Sequence, residues 1–208
     1  RKDLPKQFLN LTGTDLMVNE TIDRMALSVP GKDIFVVTNA TQADLMLTST
    51  DGRVGKDHIL AEPAARNTSA CIGYAAMEIV KKYGDGIMCI LPSDHYIKDM
   101  EGYTAVIEEA FIAAEKTDHL VTIGIRPDFP ATGYGYIKRS TKLQDGYYKA
   151  DDFVEKPDVR TAKEYIKDGN YLWNSGMFIW KASTILKHFK DLLPDVYVCL
   201  EEIGNAMN

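Results

Sequence analysis

The sequence of 208 residues predicts an α/β fold of three layers, α/β/α, built on a mostly parallel mixed sheet. Three short apolar runs, at 34–37, 87–91 and 120–125, have the length and composition of buried strands. Between them lie segments such as 15–29 and 101–116, in which apolar residues recur at helical spacing. Strands that alternate with helices in this rhythm are typical of parallel βαβ units with helices on both faces of the sheet.

The elements of the first 125 residues are predicted from local pattern. Residues 15–29 carry an apolar residue every three or four positions, and Pro30-Gly31 ends that helix. Asn67-Thr68-Ser69 is a candidate N-cap for an alanine-rich helix. In chain order, we expect a helix at 15–29, a strand at 34–37, a helix at 41–48, a strand at 58–61, a helix at 69–82, a strand at 87–91, a helix at 101–116 and a strand at 120–125.

The pattern changes after residue 130, where strands of a mixed extension are expected instead of regular βαβ units. These strands are predicted at 132–138, 147–155 and 177–180, with helices at 160–168 and 182–191. The sequence contains no repeat, linker or low-complexity tract. A single domain over residues 1–208 is therefore the expectation.

Composition and charge exclude several classes of protein. The net charge is −6, with 24 Lys and Arg against 30 Asp and Glu, whereas a general nucleic-acid binder usually presents a basic surface. No apolar run approaches the roughly 20 residues of a membrane span. The three cysteines are far apart and odd in number, which favours a reducing, cytoplasmic location over a disulfide framework or a zinc site.

Asp94 is the candidate metal ligand. It follows the strand predicted at 87–91 and lies on a turn, and ligands of open α/β sheets bind beyond the carboxyl ends of strands. Mg²⁺ is a hard cation that often takes one or two carboxylates together with phosphate oxygens and water. The alternative is an Asx-turn residue or an N-cap for the next helix, and position alone does not separate the two.

Two lysines are candidates for binding phosphate groups. Lys6 lies between apolar neighbours, with Pro5 fixing the backbone before it and Phe8 available as an anchor after it. Lys156 follows Glu155 at the end of a predicted strand, so the pair offers a cation for a phosphate and a carboxylate for hydroxyl groups. The alternatives are a surface lysine in the first case and a solvated strand end in the second.

Three further clusters offer groups for substrate recognition. Gly135 lies in a Gly-Tyr-Gly-Tyr run that lets the backbone approach a ligand closely, although a bulge or hairpin has the same pattern. Asn174 presents an amide before the strand predicted at 177–180, in what is otherwise a plain loop. Glu62, Arg66 and Asn67 lie in a stretch that could contact a base or ribose, and the alternative is capping of the following helix by Asn67 or Thr68.

The order of these clusters resembles that of the mannose-1-phosphate guanylyltransferases, the GDP-mannose-forming bacterial branch of the sugar nucleotidyltransferases. The strings that carry the resemblance are LPKQF, EPAARNT, LPSDHYI, TGYGYI, FVEKP and WNSGMFIW. Each string is weak alone, but six in fixed order from Leu4 to about Trp180 are specific. The resemblance implies a Rossmann-like nucleotidyltransferase domain.

The resemblance implies a role for five residues on the nucleotide side. Lys6 matches the lysine that contacts the nucleotide phosphates, and Asp94 matches the aspartate that binds Mg²⁺. Glu62, Arg66 and Asn67 lie in the stretch used around guanine and its ribose. Lys6 and Asp94, together with Lys156 below, are the implied catalytic residues.

The resemblance also implies a role for four residues on the sugar side. Gly135, Glu155 and Asn174 match positions that line the mannose, and Lys156 matches the lysine on the sugar phosphate. The implied reaction transfers GMP from GTP to α-D-mannose 1-phosphate, and the implied partners are those two substrates and, in the assembled protein, a homodimer.

Two parts of the family pattern lie outside this sequence. The family opens with a strand and a GGxGxR loop that surrounds the triphosphate, and a second metal-binding aspartate belongs to a later segment, beyond Asn208. We therefore expect the chain to be a catalytic domain without its N-terminal glycine-rich loop and its C-terminal portion. Some members carry a fused isomerase domain, and none is expected within these residues.

Three alternatives to this function stand beside it. The first is a transferase for another hexose 1-phosphate or another nucleoside triphosphate. The second is a non-catalytic paralogue that senses a nucleotide sugar, which would not need the metal carboxylate. The third is a glycosyltransferase with a DxD turn, which Ser93-Asp94-His95 does not match.

Overall fold

The computed structural model describes residues 5–62, 64, 67–143 and 146–206. The first half of the chain contains α1 (Met17–Met25), β1 (Val36–Asn39), α2 (Ala43–Ser49), β2 (Ile59–Glu62), α3 (Asn67–Tyr83), β3 (Ile87–Ile90), α4 (Met100–Lys116) and β4 (Val121–Ile125). The second half contains β5 (Tyr136–Lys142), β6 (Tyr148–Val154), α5 (Val159–Asp168), β7 (Tyr171–Lys181), α6 (Ala182–Leu192) and α7 (Pro194–Ala206). The chain divides into two compact units, which are Arg1–Leu120 with Ile179–Asn208 (unit 1) and Val121–Phe178 (unit 2).

Unit 1 contains the parallel pairing that the sequence predicts. β1 and β2 run parallel, with Val36 opposite Ile59 and Asn39 opposite Glu62, so their carboxyl ends lie at one edge. β7 continues past residue 178 into unit 1, where β3 is its neighbour in the sheet.

The apolar face of α1 forms one core of unit 1. Val18 and Ile22 are buried with Phe8, Met46 and Val54, and the spacing of Val18 and Ile22 is the one that predicts the helix. The helix ends at Met25, four residues earlier than predicted, and the chain then continues in turns to Pro30.

Helices α3, α6 and α7 pack against one another in the same unit. The close approach of α3 and α7 depends on a small residue, because a Cβ added to Gly73 would lie 2.5 Å from Cδ1 of Leu200. Within the part of the chain that the structure describes, none of the helices has the length and apolar character that a membrane crossing would need.

Unit 2 is antiparallel where it was predicted to be mixed. β5 pairs antiparallel with β6 on one side and with β7 on the other, and β4 also pairs with β7. A core of Ala131, Tyr136, Ala162 and Trp173 lies between this sheet and α5. The Tyr136 hydroxyl, fully buried, donates a hydrogen bond to the Ala131 carbonyl at 2.9 Å.

The prediction of an α/β chain is confirmed, but a mostly parallel sheet is not. β5 runs antiparallel to β6, which follows it after a short connection. β5 also runs antiparallel to β7, because α5 lies between β6 and β7 and brings the chain back, so that β7 runs in the same direction as β6. Strand and helix positions agree with prediction to within a few residues up to β4. The later differences are larger, since β5 begins four residues after its predicted start and β7 begins six residues before.

Candidate functional site

Lys6 lies on a short 3₁₀ turn, Lys6–Phe8, which the buried side chain of Phe8 anchors to a core of unit 1. Phe8 is 5% exposed and packs in the α1 core, while the Lys6 side chain is exposed. The Nε2 of Gln7 donates to Oε1 of Gln42 at 3.2 Å, just beyond the end of β1. The turn therefore presents the ammonium group to solvent from a fixed backbone, as the Pro5 and Phe8 neighbours predict.

Glu62 and Asn67 lie where a parallel sheet usually binds ligands. Glu62 is the last residue of β2, and burial raises the pKa of its carboxyl group. Asn67 opens α3 in a left-handed conformation, with φ of 68°, which asparagine tolerates better than most residues. Arg66, the third residue predicted in this stretch, lies outside the described residues.

Asp94 follows β3 on an exposed turn, so its position after a strand is confirmed. The segment from Leu91 to the N-cap of α4, Asp99, contains no helix or strand. The ring of the neighbouring His95 is half-buried, and burial is the main reason that its pKa is lowered. The positive charge of Arg24 also lowers this pKa, while the negative charge of Asp94 opposes the shift. Asp94 and Arg24 thus both act electrostatically on the His95 ring.

The turns that carry Lys6 and Asp94 border one cavity of about 330 Å³ in unit 1. Gln7 and Ser93, their respective neighbours, both line it. The remaining lining is largely apolar and includes consecutive residues of two strands, 36–38 of β1 and 87–91 at β3. Among the described strands, β1 pairs only with β2 and β3 pairs only with β7. Both β1 and β3 therefore have one edge without a described partner strand.

The four residues for which the sequence predicts a role on the sugar side lie together in unit 2, where the register of three strands brings them close. Tyr136 lies opposite Val154 of β6 and opposite Trp173 of β7. Gly135 therefore lies between Glu155, which follows β6, and Asn174 of β7, whose N–H donates to the Gly135 carbonyl at 2.8 Å. Residues far apart in the sequence thus meet at one point.

Gly135 lets the Glu155 carboxylate approach its backbone directly. A Cβ at position 135 would lie 2.9 Å from Oε2 of Glu155 but 3.6 Å from Cβ of Asn174. The other carboxylate oxygen, Oε1, lies 3.1 Å from Nζ of Lys156. Both side chains are more than half exposed, so this ion pair contributes little to stability and leaves both charges available to a ligand.

Lys156 has a backbone conformation that is unfavourable for its residue type. Its φ is +43°, in the left-handed region, and the next residue is Pro157, which further restricts the residue before it. Such conformations cost about 1–3 kcal/mol and concentrate at functional sites. The strain makes Lys156 the most unusual backbone position of the group.

Asn174 lies within a strand and not in the loop that the sequence predicts. β7 runs from Tyr171 to Lys181 with an irregularity at Gly176, whose φ is +71°. The Oδ1 of Asn174 accepts a hydrogen bond from the Gly176 N–H at 3.0 Å, so Nδ2 is the group that can donate to a ligand. The loop prediction was wrong because pairing of β7 with β5 and β4 outweighs the polar and glycine content of this segment.

The residues fit a divalent cation that is shared with phosphate groups. Among the described residues, no set of three or more His, Cys, Asp or Glu side chains is arranged to hold a metal ion by itself. The exposed carboxylate of Asp94, on the turn after β3, could hold Mg²⁺ together with phosphate oxygens and water. A closed zinc-type site does not fit this set of donors.

Comparison with known proteins places the chain in a family. A family profile described as nucleotidyl transferase matches residues 1–207. The chain belongs to the nucleotidyl transferase family. Its mixed α/β fold is that of this family, as the structural comparison below indicates.

Several curated proteins are similar to this nucleotidyl transferase chain. The alginate biosynthesis protein AlgA of Pseudomonas syringae pv. tomato is 38% identical over 210 residues, which cover 96% of this chain and 42% of AlgA. A protein of Vibrio cholerae named as a putative mannose-1-phosphate guanylyltransferase is 36% identical over 199 residues, or 95% of this chain and 42% of that protein. The chain thus spans about two fifths of the length of these relatives.

A solved structure has a closely similar fold. A Thermus thermophilus protein described as a mannose-1-phosphate geranyltransferase superimposes with a TM-score of 0.91 at 31% identity. The alignment covers 100% of this chain and 60% of that one.

Proposed function

We propose that the full-length protein transfers GMP from GTP to α-D-mannose 1-phosphate and forms GDP-mannose and pyrophosphate. The relative from Vibrio cholerae carries the name of this activity, and its similarity extends over 95% of the chain. The observation that best supports the proposal is the cluster of Gly135, Glu155, Lys156 and Asn174 in unit 2.

The chemistry of this cluster suits a hexose 1-phosphate. A carboxylate and an amide, from Glu155 and Asn174, are the usual partners of sugar hydroxyl groups, and the Lys156 ammonium is a point charge for the phosphate. Gly135 leaves the space above its Cα open to the ligand. We assign the sugar phosphate to this cluster.

We assign the nucleotide to unit 1. Lys6 supplies a cation for the triphosphate, while Glu62, Arg66 and Asn67 are proposed to contact guanine and ribose. Glu62 ends β2, and Asp94 follows β3, so both lie at carboxyl ends of strands, where α/β sheets bind nucleotides.

The proposed reaction is an in-line displacement without a covalent enzyme intermediate. A phosphate oxygen of mannose 1-phosphate forms a bond to the α-phosphorus of GTP, and the bond from that phosphorus to the bridging oxygen breaks, so pyrophosphate leaves with the electron pair. The nucleophile is already an anion, so no general base is required. Lys6 and Lys156 offset the repulsion between the two anionic substrates and hold them in orientation.

Asp94 is the residue proposed to hold Mg²⁺. When bound, the ion neutralises phosphate charge and stabilises the charge that develops at the α-phosphorus. Asp94 is exposed on its turn and can share the ion with phosphate oxygens.

The cavity between β1 and β3 supports the expectation of a further strand. An apolar strand placed in this cavity would lie against β1 and β3, each of which leaves one edge unpaired among the described strands. A glycine-rich loop after that strand would then come beside Gln7 and Lys6. We propose that the GGxGxR loop of the family occupies this position in the full-length protein.

A cytoplasmic location is part of the proposal. Cys71, Cys89 and Cys199 are all free thiols, which suits a reducing compartment. Cys71 and Cys89 line the cavity described above, and burial raises the pKa of both thiols.

A pyrophosphate-release assay on the full-length protein tests the proposed function. GTP is compared with ATP, UTP and dTTP, each with mannose 1-phosphate and with glucose 1-phosphate, in the presence of Mg²⁺. We expect the highest kcat/KM for GTP with mannose 1-phosphate. Equal or faster turnover of another pair would assign a different substrate, and no turnover of any pair by folded protein would favour the non-catalytic paralogue.

A further inference from the structure

Arg24 is a buried cation in unit 1 that the site described above does not use. It lies near the end of α1 and is 6% exposed. One guanidinium nitrogen, Nη2, donates to Oγ1 of Thr21 at 3.0 Å and approaches the carbonyl oxygen of His95 at 3.5 Å. The guanidinium carbon lies 5.2 Å from the centre of the Tyr103 ring on α4.

The charge of Arg24 has no direct carboxylate partner in the part of the chain that the structure describes, where no Asp or Glu oxygen lies within 4.0 Å of it. Its Nε is buried without a hydrogen-bond acceptor. Burial of an unpaired charge is costly, so a fold that needed only packing at this point would be served better by an apolar side chain. The aromatic face of Tyr103 offsets part of that cost.

The position of Arg24 suggests what the charge does. Through one nitrogen, Nη2, the side chain joins Thr21 of α1 to the His95 carbonyl, in the segment that carries Asp94. That segment, 91–99, has no helix or strand hydrogen bonds of its own to fix it. An arginine is suited to this task because its terminal NH2 group carries two N–H donors and lies far enough from the backbone to reach both acceptors.

We propose that Arg24 is a positioning residue that fixes the Asp94 turn from its buried side. The inference rests on the proposed function in one respect, which is that Asp94 binds a metal ion. The link from Arg24 to the turn does not depend on that function, because both lie in unit 1. Without the contacts of Nη2, the turn loses its link to α1, and Asp94 samples positions that do not suit an ion shared with phosphate groups.

Two substitutions and one control separate this role from general destabilisation. R24M keeps an unbranched apolar stem and removes the guanidinium group with its charge and donors. R24K keeps a cation near Tyr103, but the lysine side chain ends one bond short of the Nη2 position that contacts both Thr21 and His95. R53M is the control, because Arg53 also contacts α1, through Asp23 at 2.8 Å, and also Asp15, but not the Asp94 turn.

Hydrogen exchange of the full-length protein without substrates gives the first readout. We expect amides of segment 91–99 to exchange at least about tenfold faster in R24M and R24K than in the wild type, and at the wild-type rate in R53M. If R24M does not fold, R24K carries the test. Wild-type exchange of 91–99 in folded R24M or R24K would overturn the proposal.

Binding of Mn²⁺ gives the second readout and requires no turnover. The Kd for Mn²⁺, measured by electron paramagnetic resonance with GTP and no sugar phosphate, should rise about tenfold in R24K and stay unchanged in R53M. Faster exchange with an unchanged Kd would show that Arg24 orders the turn without positioning a metal ligand, and would also overturn the proposal. A wild-type protein that binds no Mn²⁺ in the presence of GTP would instead contradict the role assigned to Asp94, and the exchange measurement would still decide the link to Arg24.

Discussion

Substitution of Gly135 by alanine tests the sugar-side cluster with little disturbance of the fold. The added Cβ would lie 2.9 Å from Oε2 of Glu155, closer than ordinary contacts, and the carboxylate must retreat by about 0.5 Å to restore one. The same Cβ meets Asn174 Cβ at 3.6 Å and the Val154 carbonyl at 3.7 Å, which are ordinary distances. The change is therefore confined to the Glu155 side chain and to the space above Gly135.

The structure sets the expected magnitudes. Misplacement of a positioning group by 1 Å can cost a hundredfold in rate, so a shift of half that size should lower kcat/KM for mannose 1-phosphate about tenfold, or about 1.4 kcal/mol. The φ of Gly135 is not in the left-handed region, so alanine is tolerated there, and the free energy of unfolding should change by less than about 1 kcal/mol.

The assay is steady-state pyrophosphate release by the full-length protein with mannose 1-phosphate as the varied substrate. Thermal denaturation of the same samples controls for folding. Gly133→Ala is the matched control, because a Cβ at position 133 meets nothing within 4 Å. Wild-type kcat/KM in Gly135→Ala, or an equal loss in Gly133→Ala, would refute the assignment of Glu155 and Gly135 to the sugar site.

Three further substitutions test separate parts of the account. Asp94→Asn should lower Mg²⁺-dependent turnover about a hundredfold or more. Because the side chain is exposed, Tm should change by less than about 2 °C. Near-normal turnover would contradict the metal role. In urea denaturation, Lys156→Gly should be as stable as the wild type or up to about 1 kcal/mol more stable, because glycine accepts a φ of +43°. The KM for mannose 1-phosphate should rise in this variant, and a loss of stability would contradict the strain argument. Burial alone would raise the pKa of Asp85, but hydrogen bonds from Ser183 and Gly86 outweigh burial and lower this pKa. The ionised carboxylate therefore stabilises the fold above about pH 4, and this contribution is lost as pH falls through the lowered pKa. Because Asp85 is exposed, solvent screens this contribution, and Asp85→Ala should cost less than about 1 kcal/mol at pH 7. Stability should fall less steeply between about pH 5 and pH 3 than in the wild type, and an unchanged pH dependence would contradict this reasoning.

Strands and helices with a strong local pattern could be predicted from the sequence. β3 and α4 lie within one residue of their predicted bounds, because an apolar run closed by Pro92 and an amphipathic stretch ending at Lys116 leave few alternatives. The first half of β7 could not be predicted in this way, since Asn174 and Gly176 disfavour a strand locally and pairing of β7 with β5 and β4 imposes one. α7 is absent from the predicted elements and is held by its packing on α3 and α6.

The candidate site was predictable as a set of residues but not as an arrangement. Asp94 follows a strand, and that position can be read from the chain. The meeting of Gly135, Glu155 and Asn174 depends on strand register, which local pattern does not determine when both faces of a strand are mixed in polarity. Arg24 gave no signal in the sequence, because an arginine on an amphipathic helix normally faces solvent, and its burial depends on Tyr103 of a distant helix.

A crystal structure of the full-length protein with mannose 1-phosphate tests the central assignment most directly. The account predicts sugar hydroxyl groups within hydrogen-bond distance of the Glu155 carboxylate and of Asn174 Nδ2, and the phosphate beside Lys156 Nζ. A bound sugar phosphate that leaves these three side chains free and contacts another surface would contradict it.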